Sequence, residues 1–131
     1  MPTLRLKSAI AFAFVAVASV DAASDPPSGE LAAAVSKVHS AAARRDYLAL
    51  RASMAKEFTW GFGGDADIEQ ALTEWQKDAR YLSGLAKVTQ AKCGWIEGGI
   101  YQCPAKPGLK FRAGFKQVGG IWKMVYFVEG D

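Results

Sequence analysis

Residues that carry chemistry are scarce in this chain. It has one histidine, His39, and two cysteines, Cys93 and Cys103. A Ser-His-Asp or Cys-His relay needs a histidine beside a nucleophile and oriented by a carboxylate. A lone histidine one residue after apolar Val38, on a helical segment, reads as structural, and no catalytic set is assigned. Zinc needs several clustered Cys, His or acidic ligands; one imidazole and two cysteines that can pair with each other do not supply them. Neither a metal nor a cofactor is therefore expected. An excess of one charge is missing too: sixteen Lys and Arg stand against thirteen Asp and Glu, a net +3 over 131 residues. That surplus is too small and too dispersed to favour nucleic acid, whose binding is dominated by phosphate neutralisation. Beyond the first twenty residues no apolar run approaches the roughly 20 residues a membrane span requires.

What the chain does have begins with Arg5 and Lys7, followed by the apolar run Ala9 to Val20 and the small-residue exit Val20-Asp21-Ala22. A basic start, a short apolar core and a small residue at the end form an export signal. Cleavage is expected after Ala22, leaving 109 residues in the periplasm or outside the cell. No cysteine follows the run to accept a lipid. Residues 23–29 hold two prolines, two serines and a glycine and read as a flexible leader, with one α+β domain over 30–131. In an oxidising compartment an even pair of cysteines reads as a bridge. Gly98-Gly99 between β-favouring residues predicts a hairpin that puts Cys93 and Cys103 on facing strands.

Periodicity places helices first. Ser28 is a plausible N-cap, and Leu31, Val35, Val38 and Ala42 recur on one helical face. Asp46 can cap a second, short helix with Leu48, Leu50 and Met54. Glu57 to Trp60 reads as a short extended piece. Asp65 or Asp67 can cap a third helix carrying Ile68, Ala71, Leu72, Trp75 and Ala79, continued past a kink by Tyr81, Leu82 and Leu85. From Lys87 onward period-two segments dominate: Lys87 to Ile96, Ile100 to Cys103, Leu109 to Gln117 and Ile121 to Val128. A Gly119-Gly120 turn predicts the pairs Val118 with Ile121, Phe115 with Met124, Ala113 with Tyr126 and Phe111 with Val128. On the other face it predicts Lys116 opposite Lys123 and Arg112 opposite Phe127. The expected fold is α+β, with N-terminal helices on one face of a C-terminal four-stranded antiparallel meander. Arg112, Lys116, Val125 and Phe127 are expected on the uncovered face.

Binding candidates cluster around Gly61-Phe62-Gly63-Gly64-Asp65. Backbone N–H groups there could cradle an anion, but the stretch lacks the Lys-Ser/Thr ending of a phosphate loop and Asp65 would repel phosphate. A turn presenting Trp60 and Phe62 is the better reading, with Gly63, Gly64 and Asp65 shaping it. Most other aromatics are assigned to the core, Trp60, Trp95 and Tyr101 being the candidates for a recognition patch. Glu57, Glu74, Glu97 and Glu129 have no spacing that would set two of them across a sugar bond.

Helices followed by a meander that ends in Gly120-Ile121-Trp122-Lys123-Met124-Val125-Tyr126-Phe127 resemble the cone-shaped folds related to nuclear transport factor 2. That resemblance implies a binding module or a pocket enzyme such as a dehydratase or isomerase, although the Asp-His couple of the dehydratases has no counterpart here. The stretch Glu57 to Asp65 followed by Trp75, with the ending Phe127-Val128-Glu129-Gly130-Asp131, is similar to uncharacterised exported proteins of Gram-negative bacteria. Together these features point to a non-catalytic periplasmic binding module with an envelope protein partner, such as an inhibitor or immunity factor for an envelope or cell-wall enzyme, bound through Trp60 to Asp65. A small-ligand carrier or pocket enzyme using Arg112, Glu129 or Asp131 with Trp60 at a cavity mouth is the alternative. A structural homodimer formed through the free sheet face is the third reading.

Overall fold

In the computed structural model, which describes residues 27–61, 66–106, 108 and 110–130, helices begin where short polar side chains take over orphan backbone donors. Ser28 Oγ accepts from Leu31 N at 3.1 Å and opens α1 (Gly29–Arg44). Asp46 accepts from Ala49 N at 3.1 Å and opens α2 (Tyr47–Ser53). Asp67 accepts from Glu69 N and Gln70 N and opens α3 (Ile68–Lys77), and Asp78 accepts from Arg80 N and opens α4 (Ala79–Val88). Each such cap contributes about 1 kcal/mol. Two sequence expectations are corrected here. Asp78 separates α3 from α4, so Tyr81 to Leu85 belong to a new helix and not to a kinked continuation. Lys87 and Val88 finish α4, and only Gly94–Ile96 of the expected Lys87 to Ile96 strand is extended. The export signal expected at 1–22 lies outside the described residues, as does most of the expected leader; Pro27 and Ser28 precede α1 and Gly29 is its first residue.

The strands are β1 (Met54–Thr59), β2 (Gly94–Ile96), β3 (Ile100–Cys103), β4 (Phe111–Val118) and β5 (Ile121–Glu129). Strands β2 to β5 form the expected antiparallel meander, but the sheet order is β1-β5-β4-β3-β2 and β1 lies parallel to β5. The sheet is therefore five-stranded and mixed rather than four-stranded. The reason is that β5 would otherwise end the sheet with a row of unpaired backbone groups. Residues 54–59, which bury Met54, Ala55 and Phe58, cover that edge.

Gly98, Gly99, Gly119 and Gly120 all have positive φ; Gly119-Gly120 forms a two-residue hairpin turn between Val118 and Ile121, and Gly98-Gly99 completes a three-residue turn with Glu97 between the paired Ile96 and Ile100. Around the second turn the pairs Val118–Ile121, Lys116–Lys123 and Phe115–Met124 form as expected, and then the register slips. Gly114 pairs with Tyr126, Ala113 with Phe127, Arg112 with Val128 and Phe111 with Glu129. An extra residue on β5 at Val125 is a bulge that turns the following side chains over. Phe127, expected on the open face, is instead 2% exposed beneath the helices. Tyr126 takes the open side and lies across Gly114, where a Cβ would sit 2.3 Å from its ring. Glycine is required there for that close approach. The Tyr126 hydroxyl donates to Gln102 Oε1, while Gln102 Nε2 donates to the Pro104 and Ala105 carbonyls at 3.2 and 3.3 Å.

The helix-covered face is filled by side chains. Trp75, Phe58, Phe115, Phe127 and Met124 are all fully buried. Trp75 meets Phe58 and Phe127 edge-on at 5.8 and 5.5 Å, and Phe111 stacks on Phe127 at 4.9 Å. Gly84 of α4 lets the Phe111 ring approach, since a Cβ there would lie 2.5 Å from it. Cys93, just before β2, is bonded to Cys103 at the end of β3. Among the described residues no helix is long and apolar enough to cross a membrane.

Candidate functional site

Trp60 follows β1 and is half-buried. Thr59 bridges Ala66, so the two ends of the intervening segment are held together. Phe62, Gly63, Gly64 and Asp65 lie outside the described residues, and the cap of α3 is Asp67 rather than Asp65. Trp60 and Gly61 form one wall of a cleft of about 140 Å³ whose other lining comes from Tyr81 and from Phe127 to Glu129. The Trp60 indole N–H is buried and has no partner among the described residues.

Arg112 is not brought to that cleft. It pairs with Val128, neighbouring the Phe111–Glu129 pair, and adjacent residues of a strand point to opposite faces. Its guanidinium donates to the Gly130 carbonyl, tying the end of β5 to β4. The arrangement expected for a pocket enzyme, Arg112 beside a carboxylate at a cavity mouth, is therefore not assembled from Arg112 and Glu129. Burial holds the Tyr126 phenol above its ordinary range, and the positive charge of Arg112 only partly offsets this.

A larger cleft, about 360 Å³, lies on one flank of α1. Its helical wall is Ala32, Val35, Ser36 and His39, at spacings of three and four residues that form one stripe of α1. The end of α4 contributes Thr89 and Gln90, and the far side is Tyr101 with Cys93 of the disulfide. His39 Nδ1 lies 2.9 Å from the Ala86 carbonyl oxygen and 3.1 Å from Thr89 Oγ1. Ala86 belongs to the last turn of α4, whose carbonyls have no intrahelical donor, so the imidazole caps that helix. Thr89 Oγ1 gives its own proton to the Leu85 carbonyl at 2.7 Å, with the Ala86 carbonyl 3.1 Å away. Both groups facing Nδ1 can then only accept, and Nδ1 is the protonated nitrogen.

Tyr101 continues an aromatic cluster. Its ring lies 5.1 Å from that of Trp95, which in turn lies 5.9 Å from Trp122. Burial raises the Tyr101 phenol above its ordinary value, so it carries its proton at neutral pH. Trp60, Trp95 and Tyr101, the expected recognition aromatics, are all half-buried and packed against the core. On the opposite flank of α1 a cleft of about 340 Å³ runs between Lys37 and Trp122, where Lys123 Nζ is held by the Ala52 carbonyl at 2.6 Å.

Reading the sequence passed over the His39 cleft. The stripe Ala32, Val35, Ser36, His39 was visible beside the core stripe, but the groups that orient His39 are 47 and 50 residues away. No local pattern joins them.

No family model matches the chain, and no curated protein matches it. Among solved structures, one described as a "putative ketosteroid isomerase" from Shewanella frigidimarina matches over 76% of this chain and 94% of its own, at 15% identity and a TM-score of 0.43. A likeness of that size assigns neither an activity nor residue roles.

Proposed function

We propose that the protein is an exported, disulfide-stapled binding domain of the cone-shaped, nuclear transport factor 2-like class that takes a small ligand in the cleft between α1, the end of α4 and β3. The supporting observation is where the room lies. Trp75, Phe58, Phe115, Phe127 and Met124 fill the space between sheet and helices, while the cleft beside His39 offers about 360 Å³, a size typical of small-molecule sites. The polar groups around His39 favour binding over acid–base catalysis. Its Nδ1 is held by a backbone carbonyl and a threonine hydroxyl, not by the carboxylate that orients a catalytic imidazole.

Titration of the ¹⁵N-labelled, oxidised chain with a small-fragment mixture is expected to move amide signals of residues 32–39, 89–93 and 101 together. Shifts confined to residues 60–61 and 127–129, or no shifts at millimolar fragment, would end this reading.

A second reading, an envelope protein docked against Trp60, draws on its half-buried ring at the wall of the smaller cleft, where the indole N–H has no partner among the described residues. Trp60→Ala is then expected to cut recovery of one stoichiometric protein from envelope extract at least tenfold, and undiminished recovery removes Trp60 from that role.

A further inference from the structure

We infer that the cleft beside α1 selects uncharged ligands that carry a hydrogen-bond donor, a hydroxyl or N–H, on an apolar body, and that His39 Nε2 is the acceptor that receives it. This inference rests on the small-ligand reading above and adds the chemical class of the ligand.

Three observations carry it. The Nδ1–H of His39 is engaged by the Ala86 carbonyl and Thr89 Oγ1, and both can only accept because the Thr89 proton goes to the carbonyls of Leu85 and Ala86. The neutral ring therefore exists as one tautomer, with its lone pair on Nε2. Nε2 lies across the ring from the nitrogen bound to α4, and it has no partner among the described residues. A held imidazole with one free acceptor distinguishes a donor from its methylated analogue, because the analogue leaves the acceptor desolvated and unpaired.

Second, among the described residues no Lys, Arg, Asp or Glu borders this cleft. An ammonium or a carboxylate entering it would lose hydration without meeting a counter-charge, so a neutral ligand is favoured. Third, Pro27, Ala32, Val35, the Tyr101 ring and the Cys93 sulfur offer contact to an apolar body, and the remaining polar groups, Ser36 and Gln90, are uncharged.

The test compares p-cresol with 4-methylanisole, two probes with the same ring and methyl group, of which only the first can donate. Both are titrated into the oxidised mature chain, following cleft amides and the imidazole ¹⁵N signals. Before addition, the neutral ring of His39 should carry its proton on Nδ1 and not on Nε2. p-Cresol should move the Nε2 signal and bind at least tenfold more tightly than the ether. In His39→Leu the preference should fall to about twofold or less, while His39→Gln, whose amide oxygen keeps an acceptor, should retain part of it. The amide spectrum of each variant reports folding. If His39→Leu does not fold, the imidazole signals of the unaltered chain and the glutamine variant still decide. Equal affinity of both probes with cleft amides moving, or a neutral ring that carries its proton on Nε2 in the free protein, would overturn donor selection and leave the cleft as a binding site. Failure of both probes to move any cleft amide would overturn the small-ligand reading together with this one.

Discussion

Trp75→Ala is expected to lower the free energy of unfolding by about 3–5 kcal/mol, the largest effect of any single truncation in this domain. Trp75 lies on α3 with 1% of its surface exposed, and it joins α3 to the sheet. Its ring meets Phe58 of β1 and Phe127 of β5 edge-on. Truncation removes the buried aromatic area and leaves a void that α3 and the two strands cannot close without losing their own register. The indole N–H has no partner among the described residues, so the polar atom adds nothing to offset its burial. Trp75→Phe should for that reason cost much less, about 1–2 kcal/mol, because it removes an unsatisfied donor together with part of the ring. Urea unfolding followed by far-ultraviolet circular dichroism measures both. A loss below about 1 kcal/mol for Trp75→Ala would mean that this layer is not the centre of the core.

The second large effect is expected from removing the disulfide. Cys93 and Cys103 are ten residues apart, and a closed loop of that length contributes about 2–3 kcal/mol by restricting the unfolded chain. Cys103 is fully buried, so Cys93→Ala with Cys103→Ala adds lost packing. The double variant should unfold roughly 10–20 °C earlier, given about 4–8 °C per kcal/mol in a domain of about 100 residues. Reducing agent should reproduce most of that shift in the unaltered protein and none in the variant. There is a functional consequence as well. Cys93 borders the cleft beside His39, and the bridge holds the segment after α4 against β3, helped by the Ala105 N to Lys92 carbonyl bond at 3.0 Å. Opening it should move the cleft amides even without a ligand. If the amide signals of residues 32–39 stay in place on reduction, the staple supports the hairpin alone.

Local chemistry was legible in the residues. Ser28, Asp46 and one of the pair Asp65 and Asp67 could be named as caps because a short oxygen-bearing side chain before an apolar-periodic stretch has one main use; the structure chose Asp67. Gly98-Gly99 and Gly119-Gly120 could be named as hairpin turns because paired positive φ is costly for other residues. The cysteine bridge followed from count and hairpin together. What misled the reading was also local. Asp78 was passed over as a cap because the apolar spacing of Trp75, Ala79 and Leu82 runs through it without a break. Lys87 and Val88 read as extended because two residues at a helix end carry no period of their own.

The bulge at Val125 had no signature, since a single extra residue between Met124 and Tyr126 changes no composition. It nevertheless decided which aromatic entered the core. Among the candidate site residues, Trp60 is placed at a cleft and Arg112 is not.

The order of side chains along the chain determined helix starts, turns, the staple and the apolar stripes, because each depends on contacts within a few residues. Tertiary structure alone decided that β1 joins β5, that Phe127 turns inward, and that His39 meets the end of α4. Those outcomes depend on which separated backbone edges and carbonyls lack a partner once the layers close, and such a deficit exists only in three dimensions.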